Sequence, residues 1–144
     1  MMKKHISLIL LFCVLCAILS GCGKQAGSEF VGTWKYAGTY DGDPYEYFYV
    51  IEKAKNGDTT YIITRYDLDI NRMKKAFSGE IELNTGKKQF PAQYKDGILE
   101  KDFSEKYYIQ DGKLVVGNKS LERVSDKSMT FEEMDNGRGY PAPK

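Results

Sequence analysis

The sequence predicts an all-β fold, an antiparallel meander β-barrel of about 8–10 short strands behind an N-terminal signal segment. Three observations carry this expectation. Apolar and polar residues alternate with period two through most of the chain, the mark of half-buried strands. Glycine-containing turn pairs punctuate the alternating runs at short intervals. Beyond the N-terminal segment only one stretch is a candidate helix. A meander of this many strands has to dispose of its edges, and closing into a barrel removes them; a two-sheet sandwich is the alternative.

The first 21 residues are a separate object. MMKKH gives a basic start, and Ile6 to Leu19 form an apolar run shorter than the roughly 20 residues a spanning helix needs. With small residues at its end, the segment reads as a secretory signal. It ends in Leu19-Ser20-Gly21-Cys22, which resembles the lipobox of bacterial lipoproteins. The resemblance implies cleavage before Cys22 and a diacylglyceryl group on its thiol, with acyl chains such as palmitate holding the protein on a membrane. Residues 22–28 (CGKQAGS) then form a flexible tether, residues 29–133 the barrel domain, and residues 134–144, with two glycines and two prolines in NGRGYPAPK, a loose tail. The implied location is the cell membrane or outer membrane, lipid-anchored on the extracytoplasmic side. Gly23-Lys24 after the cysteine, in place of aspartate, resembles lipoproteins forwarded to an outer membrane.

Within the domain, Phe30, Gly32, Trp34, Tyr36, Gly38 and Tyr40 share one face of a first strand. YEYFYVIEKA at 45–54 and TTYIITRYDLDI at 59–70 follow, rich in aromatic and β-branched residues. Phe77, Gly79, Ile81 and Leu83 alternate with Ser78, Glu80 and Glu82, and Phe90, Ala92 and Tyr94 make another stripe. ILEKDF, KYYIQ, KLVV, KSLERV and SMTFEEM complete the predicted strands. Asp96-Gly97 and Asp111-Gly112 suit two-residue hairpins, and Asn56-Gly57-Asp58 and Asn84-Thr85-Gly86 give similar turn signals. Asp41-Gly42-Asp43-Pro44 reads as a longer, stiffer loop. The candidate helix is DINRMKKAF, Asp69 to Phe77, with Asp69 as its cap.

Absent residues restrict the chemistry. Cys13, Cys16 and the one histidine, His5, all lie in the signal segment, and a lipidated Cys22 carries no free thiol. The mature chain then has no disulfide, no histidine general base, no Ser/His/Asp or Cys/His pair, and no histidine–cysteine zinc site. The sequence therefore argues against an enzyme and predicts no cofactor and no metal. Without Lys3 and Lys4, 19 of the 21 basic side chains remain against 20 acidic ones, interspersed, so no nucleic-acid partner is expected. Two oxygen-rich groups remain as calcium candidates: Asp67, Asp69 and Asn71, where Arg72 replaces the glycine an EF-hand loop needs, and Asp41, Asp43 and Glu46. Solvated turns are the simpler account of both. Asn118-Lys119-Ser120 matches a glycosylation triplet, which says little in a bacterial lipoprotein.

The FVGTWK stretch around Trp34 resembles the first-strand signature of the lipocalin and fatty-acid-binding superfamily, in which Gly-x-Trp opens the barrel. The resemblance implies that Trp34 crosses the closed end and that an arginine from a late strand, Arg123 in SLERVS, packs over its ring. It also implies a small apolar or amphipathic ligand inside the barrel. Among the strand tyrosines, Tyr36, Tyr47, Tyr49 and Tyr61 are the candidate ligand-binding residues, although β-propensity and cross-strand aromatic pairing account for tyrosines at these positions as well. The chain departs from those families in having only DGDPY between its first two strands, with neither a helical lid nor a large covering loop. A barrel filled by its own side chains is therefore the alternative. The matching function is an envelope protein–protein interaction module, such as an inhibitor or assembly accessory, with an exposed aromatic face.

Overall fold

The computed structural model describes residues 25–144. The signal segment and Cys22 lie outside the described residues. The strands are β1 (Gly32–Tyr40), β2 (Asp43–Lys53), β3 (Thr60–Ile70), β4 (Leu83–Lys95), β5 (Ile98–Glu100), β6 (Lys106–Gln110), β7 (Lys113–Val116) and β8 (Lys119–Ser125). Each pairs antiparallel with the next, and β8 returns to β1, so the eight-stranded meander closes on itself. A sandwich is excluded by that last pairing.

Cross-strand register shows why the barrel closes around one core. Trp34 pairs with Tyr49 and Arg123, Ile51 with Ile63, Ile63 with Phe90, Leu99 with Tyr107, and Leu114 with Leu121. Period-two geometry sends all of these inward together. Trp34, Ile51, Tyr61, Ile63, Leu99, Tyr107, Leu114 and Leu121 are fully or almost fully buried, so side chains fill the lower barrel.

The turns follow from residue type. Asp41-Gly42, Asp96-Gly97 and Asp111-Gly112 each place two successive residues at positive φ, from 50° to 83°, as a type I′ hairpin demands. The first corrects the expectation of a longer loop: Asp43 already pairs with Tyr40, and Pro44 with Thr39, at the start of β2.

Other local expectations also change. Asn84-Thr85-Gly86 is no turn; it lies in β4 opposite Asp69, Leu68 and Asp67. The Phe77–Leu83 stripe is not a strand of its own: only its last member, Leu83, belongs to one, at the start of β4. Residues Arg72–Ser78 form helix α1, with Asn71, not Asp69, as its cap; the Asn71 side chain accepts from the Lys74 amide at 3.1 Å. Gly79 ends it at a φ of 71°. Phe77 is left 84% exposed, so its alternation with Ile81 reports no buried face. SMTFEEM, read as a strand, instead contains helix α2 (Phe131–Asp135), started by a capping box between Thr130 and Glu133. The strands are also not uniformly short: β2, β3 and β4 have 11, 11 and 13 residues, against 3, 5 and 4 in β5, β6 and β7.

The C-terminal segment is not loose. Met134 is buried against Phe48, Val50 and Leu68 on the outer face of β2 and β3, with Met129, Phe131 and Tyr140 around it. Buried Thr33 donates to the Lys127 carbonyl at 2.9 Å and accepts from the Met129 amide at 3.0 Å, fixing the approach to α2. Packing at the N-terminal boundary likewise begins before residue 29, in a 3-10 turn at Ser28–Phe30. Among the described residues, no helix is long and apolar enough to cross a membrane.

Candidate functional site

The two ends of the barrel differ in kind. At one end the N-terminal 3-10 turn folds under the strands as a plug. The Trp34 indole N–H donates to the Phe30 carbonyl at 2.8 Å, and the Tyr61 hydroxyl to the Ala26 carbonyl at 2.7 Å. The Arg123 guanidinium lies 4.1 Å from the Trp34 ring centroid and donates to the carbonyls of Val31 and Glu29. A buried indole and its polar N–H are thus both satisfied, and the cation covers one face of the ring. Gly32 is required here: its φ is 129°, and a Cβ would sit 2.4 Å from the Ser125 carbonyl oxygen.

The other end is open, and strand length explains why. At roughly 3.3 Å per residue, β2, β3 and β4 run on average about 25 Å further than β5, β6 and β7. A tall wall therefore stands opposite a low one. Beyond the filled core, the register sends Tyr36, Tyr45, Tyr47, Arg65 and Asp67 inward on the tall wall. The low wall ends in the 101–105 loop and in Gly117-Asn118 between β7 and β8. Between them lies a cavity of about 440 Å³, lined among others by Tyr49, Arg65, Ser104, Glu105, Asn118 and Lys119. It is a cleft open to solvent, with a volume in the range of small-molecule sites.

Tyr49 meets Tyr107 edge to face at 5.9 Å, and Tyr107 meets Phe90 at 6.4 Å, giving the open end an aromatic floor. The Tyr107 hydroxyl donates to the Glu105 carboxylate. Burial, then the hydrogen bond to Glu105 and its negative charge, push the Tyr107 hydroxyl pKa upward. Burial does the same to Tyr49, against the pull of Arg65. Both phenols therefore stay protonated near neutral pH. On the tall wall Tyr36 stacks on Tyr47 at 6.1 Å and Tyr45 approaches Tyr47 at 5.2 Å. Gly38 makes room for this cluster, since a Cβ there would lie 2.8 Å from the Tyr45 hydroxyl. The neighbouring Tyr45 hydroxyl, through a hydrogen bond, pushes the Tyr36 pKa upward.

Cations rest on these rings. Arg65 lies 4.3 Å from the Tyr47 centroid and 5.8 Å from that of Tyr49, and Lys119 lies 5.0 Å from Tyr36 and 5.8 Å from Tyr47. Arg65 also donates to Asp67 at 2.6 Å. Burial alone would lower the Arg65 pKa, but Tyr49 and Asp67 outweigh it, so the guanidinium is held charged.

Of the four candidate tyrosines, the structure brings Tyr36, Tyr47 and Tyr49 to the open end. Tyr61 is a correction: it is fully buried at the plugged end, its hydroxyl taken by Ala26, and it cannot meet a ligand at the mouth. Sequence reasoning missed Arg65 and Lys119. The signal was available, because each is a charged residue at an inward position of an alternating strand. Most of the oxygen groups singled out for calcium have other partners. Asp43 pairs with Lys75, Glu46 with Lys35 and Arg138, Asp67 with Arg65, Asp69 accepts from Asn84, and Asn71 caps α1. Among the described residues, no three potential ligand side chains cluster as a metal site would require.

The chain matches no protein-family model, and comparison with curated proteins and with solved structures finds no significant match.

Proposed function

We propose that this chain is an extracytoplasmic lipoprotein, anchored through lipid on Cys22, whose lipocalin-like barrel binds a small amphipathic ligand at its open end. It acts by binding and not by catalysis. The observation that carries the reading is the cavity of about 440 Å³ between a tall aromatic wall and a low wall, above a floor that is already packed. Aromatic faces supply apolar contact area, while Arg65, Lys119 and the protonated phenols supply directional polar partners. The lipobox-like Leu19-Ser20-Gly21-Cys22 supports the anchor, and the Gly-x-Trp stretch around Trp34 supports the likeness to lipocalins.

The test is native mass spectrometry of the full chain expressed in a bacterial host and extracted gently in detergent, with an alkyne fatty acid fed to the cells. The expected result is a labelled protein, unlabelled in Cys22→Ser, that carries a small molecule lost in Tyr47→Ala. A chain with no label overturns the anchor. A native protein without added mass, whose melting temperature no small-molecule extract raises, overturns the binding function.

A second reading rests on a different observation. Met73 and Phe77 stand one turn apart on α1 at 68% and 84% exposure, Ile81 follows at 71%, and Phe103 on the low-wall loop is fully exposed. Large apolar side chains in solvent suit a protein partner in the envelope. In vivo cross-linking from position 77 to one specific protein, with an unchanged result in Tyr47→Ala, would favour this reading.

A further inference from the structure

One cation at the open end has no acidic partner among the described residues. Arg65, Lys106 and Lys119 line the cavity, against one carboxylate, Glu105. Glu105 is already engaged by the Tyr107 hydroxyl and by Lys101 at 3.4 Å. Lys106 pairs with Glu100 at 3.3 Å and Arg65 with Asp67 at 2.6 Å. Lys119 has no carboxylate partner among the described residues; it lies against the faces of Tyr36 and Tyr47. Arg65 reaches the same Tyr47 ring, so both cations belong to one continuous surface of cavity and wall. The apolar part of that surface is aromatic: Val116 is the one aliphatic side chain among the described residues lining the cavity. Such a surface suits a flat ring better than a long alkyl chain, because aromatic pairs gain from their quadrupoles beyond the area they bury.

Resting on the binding function proposed above, we propose that the ligand is a planar aromatic anion, its ring on the tyrosine wall of Tyr36, Tyr45 and Tyr47 and its acidic group held between Lys119 and Arg65. Lys119 supplies the charge that the protein leaves uncompensated. Arg65, fixed by Asp67, offers its remaining N–H groups in a set direction. Anion recognition by a partly desolvated cation–tyrosine surface gives short, charge-assisted hydrogen bonds that a neutral ring cannot form. Displacing Lys119 from the ring faces toward the anion also frees those faces for stacking.

The test uses the full chain in detergent and two fluorescent probes of nearly the same shape, 8-anilinonaphthalene-1-sulfonate and its uncharged analogue N-phenyl-1-naphthylamine. The sulfonate is expected to bind at least tenfold more tightly, and added salt to narrow the difference. Lys119→Gln should weaken the sulfonate about tenfold and leave the neutral probe unchanged, and Lys119→Arg should restore most of the loss. Lys113→Gln, on the outer side of the barrel, and Phe77→Ser, on α1, should alter neither. Equal affinity for both probes, or sulfonate binding that survives Lys119→Gln, overturns the anionic ligand while leaving the binding function standing. Sulfonate binding lost in Phe77→Ser places the probe on α1 and overturns it as well. Failure of both probes overturns this inference, and ligand-free native mass spectra would then overturn the binding function separately.

Discussion

Arg123 sits where β8, β1 and the N-terminal turn converge. Its guanidinium spreads over the Trp34 ring and donates to two backbone carbonyls, Val31 and Glu29, that no strand would otherwise satisfy. Removing it leaves those acceptors to water and uncovers an indole that is 1% exposed. Arg123→Ala should therefore cost about 2–3 kcal/mol, discounting the charged hydrogen bonds for their partial exposure. Arg123→Lys should recover less than half, because an ammonium cannot fork toward two carbonyls while lying flat on a ring. Urea unfolding midpoints decide this; equal stability of Lys and Arg at the position would disprove the forked role. Both residues of the pair can be picked out in the sequence through the Gly-x-Trp resemblance. The carbonyls they hold cannot, because a backbone acceptor has no side-chain signature. Arg65 and Lys119 were legible in principle, as charges at inward positions, but alternation alone does not say whether an inward position meets a core or an open mouth.

At the scale of elements, the strands and hairpins were the legible part, since period-two burial and Asp-Gly turns are local signals. Misreadings occur where a local pattern has no buried face behind it. Phe77, Ile81 and Leu83 alternate, yet Phe77 and Ile81 are exposed around the end of α1, so burial never enforced the period. Conversely, α2 is only five residues long, too short for a helical stripe, and its one sequence signal is the Thr130-to-Glu133 capping box. Gly32 shows the limit from the other side. Its role depends on β8, 93 residues away at Ser125, whose carbonyl oxygen would lie 2.4 Å from a Cβ. Gly32→Ala combines this clash with an unfavourable φ of 129°, and should cost about 3 kcal/mol or more, enough to prevent β1 from closing on β8. Gly97→Ala, where nothing lies within 4 Å of the new Cβ, carries only the positive-φ penalty and should cost about 1–2 kcal/mol. Comparing the two by thermal unfolding isolates the closing contact, and equal losses would rule it out.

The whole molecule is a barrel of two unequal halves, and its tall half is braced from outside by the C-terminal segment. The tall wall carries the proposed ligand surface on its inner face, so the brace on its outer face holds that surface in shape. The apolar contact of Met134 with Phe48, Val50 and Leu68 supplies the grip, and Glu46 on β2 supplies the clasp, pairing with Lys35 at 2.7 Å and with Arg138 at 2.5 Å. Burial alone would raise the Glu46 pKa, but the hydrogen bonds and charges of Lys35 and Arg138 outweigh it and hold the carboxyl below its ordinary 4.5. A folded pKa below the unfolded one means that the clasp contributes fully above about pH 4.5 and is lost as pH falls through the lower folded value. Asp135, which accepts from the amides of Tyr140 and Gly139 and is likewise lowered, loses its hold on the same segment in the same direction. Acidification from about pH 6 to pH 3 should therefore loosen residues 129–140 before the barrel itself opens, seen as faster amide exchange at Met134 and Asn136 than at Ile51 or Ile63. Glu46→Gln should be less stable than the native chain near pH 7 and should lose less on acidification, because the group that titrates is gone. Parallel stability–pH curves for the two proteins below pH 5 would show that Glu46 is not the clasp.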